Sequence, residues 1–190
     1  MRRIIFHVDV NSAFLSWEAV YRLRHLGGTL DLRTIPSAVG GDQEKRHGII
    51  LAKSIPAKKY KVQTGEPIVD ARAKCPQLML VPPNYELYQR SSKAMIRILS
   101  EYTDQIEKYS IDEAFLDMTG ICQEPKETAE KLKEQIFREL GFTVNVGISS
   151  NKLLAKMASD FEKPDRVHTL WPEEIPKKMW PLPVRDLFLV

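Results

Sequence analysis

The chain has 190 residues, 43% of them hydrophobic, which is enough to build the core of one large domain or two small ones. Its 28 basic and 25 acidic residues give a net charge of only +3, so any affinity for nucleic acid must come from local basic patches. Cys75 and Cys122 are isolated in the sequence, which argues against a zinc site or a disulfide framework and fits a reducing compartment. No apolar stretch reaches the length of a membrane span, so we expect a soluble, cytoplasmic protein without membrane contact.

The first half of the chain is predicted to begin with a mostly buried strand from Arg3 to Asp9. A helix is expected from about Ser12 to Leu26, capped by Ser12 or Asn11 and ended by Gly27-Gly28. Short elements follow: strands near Thr34 to Val39 and Gly48 to Lys53, helices around Pro56 to Tyr60 and Pro67 to Cys75, and a strand from Leu78 to Val81.

The second half is predicted to begin with a long amphipathic helix from about Tyr85 to Tyr102. Its inward face is expected to carry Leu87, Met95, Ile98 and Leu99. A hairpin then bends at Asp112-Glu113. The remaining elements are a charged helix from Pro125 to Leu140, a strand from Phe142 to Ile148, and a helix capped by Asn151 that runs to about Phe161.

The order of these elements predicts the fold. Without residues near 11 to 80, the order is strand, helix, strand, strand, helix, strand, which is that of the split βαβ, ferredoxin-like fold. We therefore predict an α+β protein in which a ferredoxin-like sheet carries an inserted small α/β subdomain. In this topology the first strand lies beside the hairpin, so Asp9 and Asp112-Glu113 converge.

Three converging carboxylates indicate a metal site. Asp9, Asp112 and Glu113 could hold two Mg²⁺ ions, or Mn²⁺, for phosphoryl or nucleotidyl transfer. Acidic residues at a hairpin bend are often only solvated turn residues, which is the alternative interpretation. A carboxylate at the end of a buried strand is costly unless something pairs with it, and this favours the metal site.

Five motifs together resemble the Y-family, or translesion, DNA polymerases, most closely their UmuC branch. They are His7 to Phe14, Ala52-Lys53-Ser54 through Gly65, Ser110 to Asp117, Val146 to Ser149, and Asn151 to Lys156. The resemblance covers nearly the whole chain. It implies template-directed DNA synthesis past damaged bases in the DNA-damage (SOS) response, with primer-template DNA and dNTP as substrates and a sliding clamp as a partner of regions further along the chain.

The resemblance also implies roles for individual residues. Asp9, Asp112 and Glu113 match the metal-binding carboxylates, and Val10 would contribute its backbone carbonyl. Nucleotide contacts would come from the following residues: Asn11, Ser12, Ala13, Phe14, Lys58 and Lys163. The first three open a helix, whose N–H groups are a natural phosphate site.

Phe14 falls at the position of the family's steric gate, the aromatic residue that excludes a ribose 2′-hydroxyl. Trp17 and Tyr21 continue an apolar stripe from Phe14, so packing in the core is an equally open interpretation.

The sequence departs from the family pattern in the segment after Ala52. Ile55 and Lys58 stand where many members carry a tyrosine and an arginine, and Lys61 replaces a common glycine. The lysine ammonium is a point charge, whereas the arginine guanidinium can donate two parallel hydrogen bonds to a phosphate. The triphosphate would therefore be positioned more loosely, or its contact would be shared between Lys58 and Lys59. The alternative is that the lysines of this segment form a solvated basic face.

The family pattern divides the chain into a catalytic palm at residues 1–11 and 79–170, fingers at 12–78, and the start of a thumb at 171–190. Because family members continue into a complete thumb and a little finger, we expect a truncated chain or the front half of a split gene, with weak activity alone. Residues 182–190 are expected to be frayed.

Two other function classes remain open. One is a nucleotide cyclase of the diguanylate type, whose signature the run Gly40-Gly41-Asp42-Gln43-Glu44 mimics. The other is a non-catalytic polymerase remnant that binds only DNA or a partner.

Overall fold

The computed structural model describes residues 2–41 and 48–188. The chain forms two compact units, one up to Asn11 and from Ser92 onward, and the other from Ser12 to Ser91. The sequence placed the return to the first unit at residue 79. The structure keeps residues 79–91 with the inserted unit, since a strand that begins at Met79 pairs within that unit's sheet.

The helices and strands follow the predicted order, with boundaries that differ by a few residues. The strands are β1 (Ile5–Val10), β2 (Ser37–Gly40), β3 (Ile50–Lys53), β4 (Met79–Val81), β5 (Ile106–Lys108), β6 (Glu113–Asp117), β7 (Val144–Ser149) and β8 (Val167–Thr169). The helices are α1 (Ala13–His25), α2 (Ile55–Lys59), α3 (Ile68–Lys74), α4 (Tyr85–Leu99), α5 (Pro125–Leu140), α6 (Lys152–Ser159) and α7 (Ile175–Lys178). Short 3₁₀ turns lie at Leu32–Thr34, Pro172–Glu174 and Val184–Asp186.

The sheet of the first unit has the strand order β5-β6-β1-β7-β8. β1 is central and antiparallel to both β6 and β7, as a ferredoxin-like sheet requires. β8 adds an edge strand parallel to β7. The predicted α+β, ferredoxin-like fold is therefore confirmed.

Gly147 marks the place where helix α6 lies closest to this sheet. All residues of β1 and β7 are buried, and α6 packs against both strands. A Cβ atom at Gly147 would lie 1.9 Å from the carbonyl oxygen of Ala155 and 2.4 Å from the amide nitrogen of Ser159. Only glycine permits this approach of the two backbones.

Three apolar residues of the segment expected to fray, residues 182–190, are packed in the structure, and residues 189 and 190 lie outside the described residues. Leu182, Leu187 and Phe188 contact a small core formed by α6 and Leu170. The Phe188 amide also donates a hydrogen bond to the Met157 sulfur at 3.1 Å. These three apolar residues thus have a partner surface within the first unit, whereas Val184 is exposed.

The second unit contains a three-stranded sheet in the order β3-β2-β4. β2 is antiparallel to β3 and parallel to β4. Small and branched apolar side chains fill its core: Ala38, Ile50, Ala57, Val62, Ile68, Ala71, Cys75 and Leu78. Cys75 is therefore a buried core thiol, as expected of an ordinary cysteine.

Helix α1 begins differently from the prediction. Ser12 occupies the N-cap position with φ 46° and makes no side-chain capping hydrogen bond. The Asn11 side chain is engaged elsewhere, since it donates to Asn145 and accepts from the Asp165 amide. The predicted side-chain cap is therefore wrong. The four residues predicted to face inward from α4 are all buried, which confirms that prediction.

Two further expectations concern membranes and the cyclase signature. Across the described ranges, no helix combines the length and the apolar character needed to cross a membrane. Residues 42–44, the last three of the cyclase-like run, lie outside the described residues.

Candidate functional site

Three polar residues form one row across the centre of the larger sheet. Asp9 near the end of β1 pairs in register with Glu113 of β6 and with Asn145 of β7. Directly opposed residues of antiparallel strands point to the same face, so all three side chains share one face. Two carboxylates opposed in this way repel each other unless positive charge lies between or beside them.

Asp112 lies in the turn immediately before β6, where hydrogen bonds tie it to this row. The Val10 amide donates to the Asp112 carbonyl at 3.1 Å, which holds the turn against the end of β1. The Ser110 hydroxyl donates to Asp112 Oδ1 at 2.7 Å. The structure thus brings together Asp9, Val10, Asp112 and Glu113, the four residues that the sequence predicted at the metal site.

Lys163 supplies positive charge at one side of the row. Its ammonium group forms an ion pair with Asp9 and, at 2.8 Å, a second one with Asp160. Burial raises the pKa of Asp9 to about 6, against the lowering effect of Lys163 and with smaller raising effects from Glu113 and Asp112. Burial by itself would lower the pKa of Lys163, but Asp9 and Asp160 outweigh it and the net pKa is raised. The predicted nucleotide contact Lys163 therefore holds a carboxylate here.

Lys156 supplies positive charge at the other side. Its side chain is only 10% exposed, and its ammonium group donates to Glu113 Oε1. The rings of Tyr109 and Phe188 lie 5.3 and 5.2 Å from this nitrogen, within the range of cation–π attraction. Lys156 is therefore a largely desolvated cation whose charge is balanced by Glu113.

His7 lies beneath this ion pair on the same face of β1 as Asp9. Its Nδ1–H donates to Ser159 Oγ, because the serine hydroxyl hydrogen is already donated to the Lys156 carbonyl. Burial, together with the charges of Lys156 and Lys163, lowers the pKa of His7 to about 3, so the ring is neutral. Its Nε2 lies 3.9 Å from Glu113 Oε1.

Asn145 connects the row to the loop that carries Lys163. Its amide group donates to the carbonyls of Ser159 at 3.0 Å and Glu162 at 2.7 Å. Its carbonyl oxygen accepts from the Asn11 side chain and from the Arg166 amide. This buried amide fixes both ends of the loop against β7.

The chemistry of these residues fits divalent cations bound mainly through oxygen. A buried carboxylate is costly unless a positive charge pairs with it, and carboxylate and carbonyl oxygens are the ligands that Mg²⁺ takes in proteins. In the described part of the chain, no three acidic, histidine or cysteine side chains are already placed to share one ion. Lys163 pairs with Asp9 and Lys156 with one oxygen of Glu113, so ion binding at Asp9 requires the Lys163 side chain to be rearranged.

The second unit carries the remaining predicted nucleotide residues except Asn11, which belongs to the first unit. Phe14 of α1 is half-buried and stacks on Tyr88 with ring centroids 4.4 Å apart and an interplanar angle of 7°. The Tyr88 hydroxyl donates to the buried carboxylate of Glu18 at 3.1 Å. Lys58 is exposed on α2, and its charge helps to lower the pKa of Lys53, after burial.

The predicted phosphate-binding amides differ in their surroundings. The Asn11 amide donates to the Thr143 carbonyl at 3.0 Å, so it is engaged within the first unit. Ser12 is exposed and Ala13 is buried at the start of α1. Their roles, like those of Phe14 and Lys58, stay predictions.

The sequence-based reasoning missed Lys156, His7 and Asn145 as residues of the site. Each carries a signal that could have identified it. His7 and Asp9 are polar residues two positions apart, on the same face of an otherwise apolar strand. Asn145 lies between the buried residues Val144 and Val146, and Lys156 lies between the buried residues Ala155 and Met157.

Comparison with known proteins identifies the family. The family model IMS, described as impB/mucB/samB, matches residues 8–160. A DNA polymerase IV of Clostridium acetobutylicum is 55% identical over 192 residues, which cover all of this chain and 48% of that protein. DNA polymerase IV 1 of Bacillus subtilis is 41% identical over 187 residues, covering 97% of this chain and 44% of that protein. The chain thus spans about half the length of the curated relatives it matches.

Solved structures agree with this match. DinB from Sulfolobus solfataricus has a TM-score of 0.85 and 28% identity, over 98% of this chain and 54% of that chain. A structure described as an insertion ternary complex of Dbh DNA polymerase has a TM-score of 0.82 and 28% identity, over 97% of this chain and 53% of that chain. The matches do not single out the UmuC branch. They show that the chain belongs to the IMS (impB/mucB/samB) family, the Y-family DNA polymerases.

Proposed function

We propose that this chain is the catalytic palm and fingers portion of a translesion DNA polymerase that transfers deoxynucleotides to a primer. The observation that carries the proposal is the convergence of Asp9, Asp112 and Glu113 at the end of the central strand. Y-family DNA polymerases generally depend on divalent metal ions, and Mg²⁺ or Mn²⁺ suits this oxygen-rich site.

In the proposed reaction, Asp9, Asp112 and Glu113, with the Val10 carbonyl, would hold two cations. When bound, divalent cations would supply charge stabilisation for the transferring phosphoryl group. Lys163 moves from Asp9 to the triphosphate of the incoming nucleotide, because phosphate oxygens offer it a new anionic partner. Asn145 keeps the Lys163 loop in place during this exchange.

The remaining proposed nucleotide contacts are Asn11 of the first unit and, in the second unit, Ser12, Ala13, Phe14 and Lys58. Phe14 acts as the steric gate against ribose, and its stacking on Tyr88 keeps the ring in one orientation. The proposed substrates are primer-template DNA and dNTP. The proposed location of the activity is the cytoplasm. A sliding clamp is proposed as a partner of the regions present in the longer relatives.

Metal binding tests the centre of this proposal. Mn²⁺ titration in the presence of dATP, followed by electron paramagnetic resonance, is expected to show bound ions in the unmodified chain and a large loss of affinity in Asp112→Ala. Asp104→Ala is the matched control, because Asp104 is an exposed aspartate that precedes β5. Equal binding by Asp112→Ala and the unmodified chain would refute the metal assignment.

Primer extension tests the activity itself. The chain alone is expected to extend poorly, because contacts with DNA phosphates dominate nucleic-acid affinity and its net charge is only +3. Fusion to the C-terminal half of the Clostridium acetobutylicum relative should increase extension strongly. Efficient, processive synthesis by the chain alone would contradict the proposed role of the further domains.

A non-catalytic remnant is the second candidate, and the lysine-paired carboxylates favour it. Two of the three carboxylates already have a cationic partner without any metal. A remnant would bind primer-template DNA without binding Mn²⁺ and without extending the primer in the fused protein. A cyclase would instead consume GTP with Mg²⁺ in the absence of DNA.

A further inference from the structure

The two oxygens of the Glu113 carboxylate have different surroundings. Oε1 accepts a charge-assisted hydrogen bond from Lys156 and lies 3.9 Å from Nε2 of His7. The nearest donor to Oε2 is the Ser110 hydroxyl at 3.4 Å, beyond the usual range of about 2.5–3.0 Å for O–H···O bonds. That hydroxyl has one hydrogen, and its bond to Asp112 Oδ1 is much shorter, at 2.7 Å. Among the described residues, Oε1 is therefore the oxygen that Lys156 holds, and Oε2 is the oxygen more available to another ligand.

Lys156 has strong reasons to keep its bond to Oε1. The residue is 8% exposed, so water cannot replace the carboxylate as a partner. The rings of Tyr109 and Phe188 attract the cation but accept no full hydrogen bond in its place. Removal of one member of a buried ion pair leaves an uncompensated charge, which is strongly unfavourable. A movement of Glu113 that released Oε1 would have this effect on Lys156.

The backbone of Lys156 is also fixed in position. Its carbonyl accepts from Ser159 Oγ, which accepts in turn from the buried ring of His7 on the central strand. Ala155 and Ser159 of the same helix approach Gly147 too closely for any side chain there. The lysine therefore projects from a helix that is held firmly against the sheet bearing Glu113.

The geometry points to Lys156 as a residue that determines metal selectivity: by holding Glu113 Oε1, it restricts Glu113 to binding a cation through Oε2 alone. This inference rests on the proposed function, because it assumes that Glu113 is a metal ligand. Ca²⁺ takes six to eight oxygen ligands and often binds carboxylates through both oxygens, whereas Mg²⁺ takes fewer ligands at shorter distances in octahedral geometry. A carboxylate with one oxygen withheld thus disfavours Ca²⁺ relative to Mg²⁺ and Mn²⁺.

The test compares Ca²⁺ with Mn²⁺ in the Lys156→Met variant. Met keeps an unbranched side chain between the two aromatic rings but has no N–H to hold Oε1. Loss of a positive charge strengthens the binding of both divalent ions alike, so the ratio of their affinities isolates the effect on the oxygen. At constant dATP, competition of Ca²⁺ against Mn²⁺ is expected to shift about tenfold in favour of Ca²⁺, the size typical of losing a group that orients a ligand.

Two controls keep the interpretation specific. Lys152→Met removes the same charge from the same helix, but Lys152 is exposed and pairs with Glu107, so the affinity ratio should stay unchanged. Lys156→Arg retains a charged donor to Glu113 and should also keep the ratio within twofold of the unmodified chain. An unchanged ratio in folded Lys156→Met, with Mn²⁺ still bound, would overturn the inference and leave the proposed function intact. Absence of Mn²⁺ binding in the unmodified chain would overturn both.

A measurement on the unmodified chain covers the case in which Lys156→Met does not fold. The ¹⁵N NMR signal of a buried, ion-paired lysine ammonium is separate from those of exposed lysines, and Lys156→Arg assigns it. The signal should persist when Mg²⁺ and dATP saturate the site, because Lys156 keeps its bond to Oε1. Its disappearance on saturation would show that Lys156 releases Glu113, and the inference would be wrong.

Discussion

Gly147→Ala is expected to destabilise the first unit severely, because α6 and β7 touch through backbone atoms at this residue. The new methyl carbon would lie 1.9 Å from the Ala155 carbonyl oxygen, whereas ordinary van der Waals contacts begin at 3.4 Å. The atoms it meets belong to the helix backbone, so no side chain can rotate away. The helix must therefore move by more than an ångström relative to the strand.

The size of the effect follows from the kind of contact. Overpacking by added methylene groups usually lowers the free energy of unfolding by about 1–3 kcal/mol when side chains can adjust. A clash with backbone atoms should therefore lower it by about 3 kcal/mol or more. For a chain of this length, each kcal/mol lowers the melting temperature by about 2–4 °C, which gives a fall of about 6–12 °C. Because α6 carries Lys156 and leads to Lys163, Mn²⁺ binding should weaken in the same variant.

Thermal unfolding followed by circular dichroism checks this prediction. Gly41→Ala is the matched control, since among the described residues a Cβ there would meet only the Gly48 Cα at 3.6 Å, an ordinary contact. The control should melt within about 2 °C of the unmodified chain, as surface substitutions usually do. If Gly147→Ala melts as high as the control and binds Mn²⁺ normally, the close approach of α6 to β7 is not a packing constraint.

Three further substitutions probe other contacts. Phe14→Ala should lower the preference for dATP over ATP in competition for the nucleotide site of the fused polymerase; a lower melting temperature with unchanged preference would mean that Phe14 only packs against Tyr88. Asn145→Ala should lower the free energy of unfolding, measured in urea, by about 3 kcal/mol, because four hydrogen bonds to buried or half-buried groups are lost. A decrease below about 1 kcal/mol would contradict the role of Asn145 in fixing the loop. Burial raises the pKa of Glu18, so the folded chain retains this proton more tightly than the unfolded chain and loses stability as pH rises above about 4.5. Glu18→Gln should therefore melt higher than the unmodified chain at pH 8, with a difference that shrinks toward pH 4, and a lower melting temperature at pH 8 would refute this account.

The sequence was sufficient to predict the fold and the convergence of the carboxylates, because both depend on short-range signals. Apolar residues define β1 and β6, the bend locates Asp112-Glu113, and the split βαβ order places these strands side by side. The inward face of α4 likewise follows from helical periodicity.

Other features depend on contacts between residues far apart in sequence. Lys156 and Lys163 pair with carboxylates 43 and 154 residues away, and no local pattern specifies such partners. The cap of α1 was wrong because Asn11 is drawn to Asn145 on another strand. The end of the described chain was expected to fray because the apolar surface of α6 that receives Leu187 and Phe188 is apparent only after folding.

The central position of β1 has a consequence for how the protein assembles during synthesis. Within this chain, β1 is synthesised before both of its neighbours in the sheet, which begin only at Glu113 and Val144. The second unit, residues 12–91, lies entirely between them in sequence and can form its own contacts meanwhile. Loop closure across such separations is slow, so β1 remains an unpaired apolar strand until more than a hundred further residues have been added. Chaperone binding and aggregation on the ribosome should therefore concentrate on β1, even though all six of its residues are buried in the native sheet.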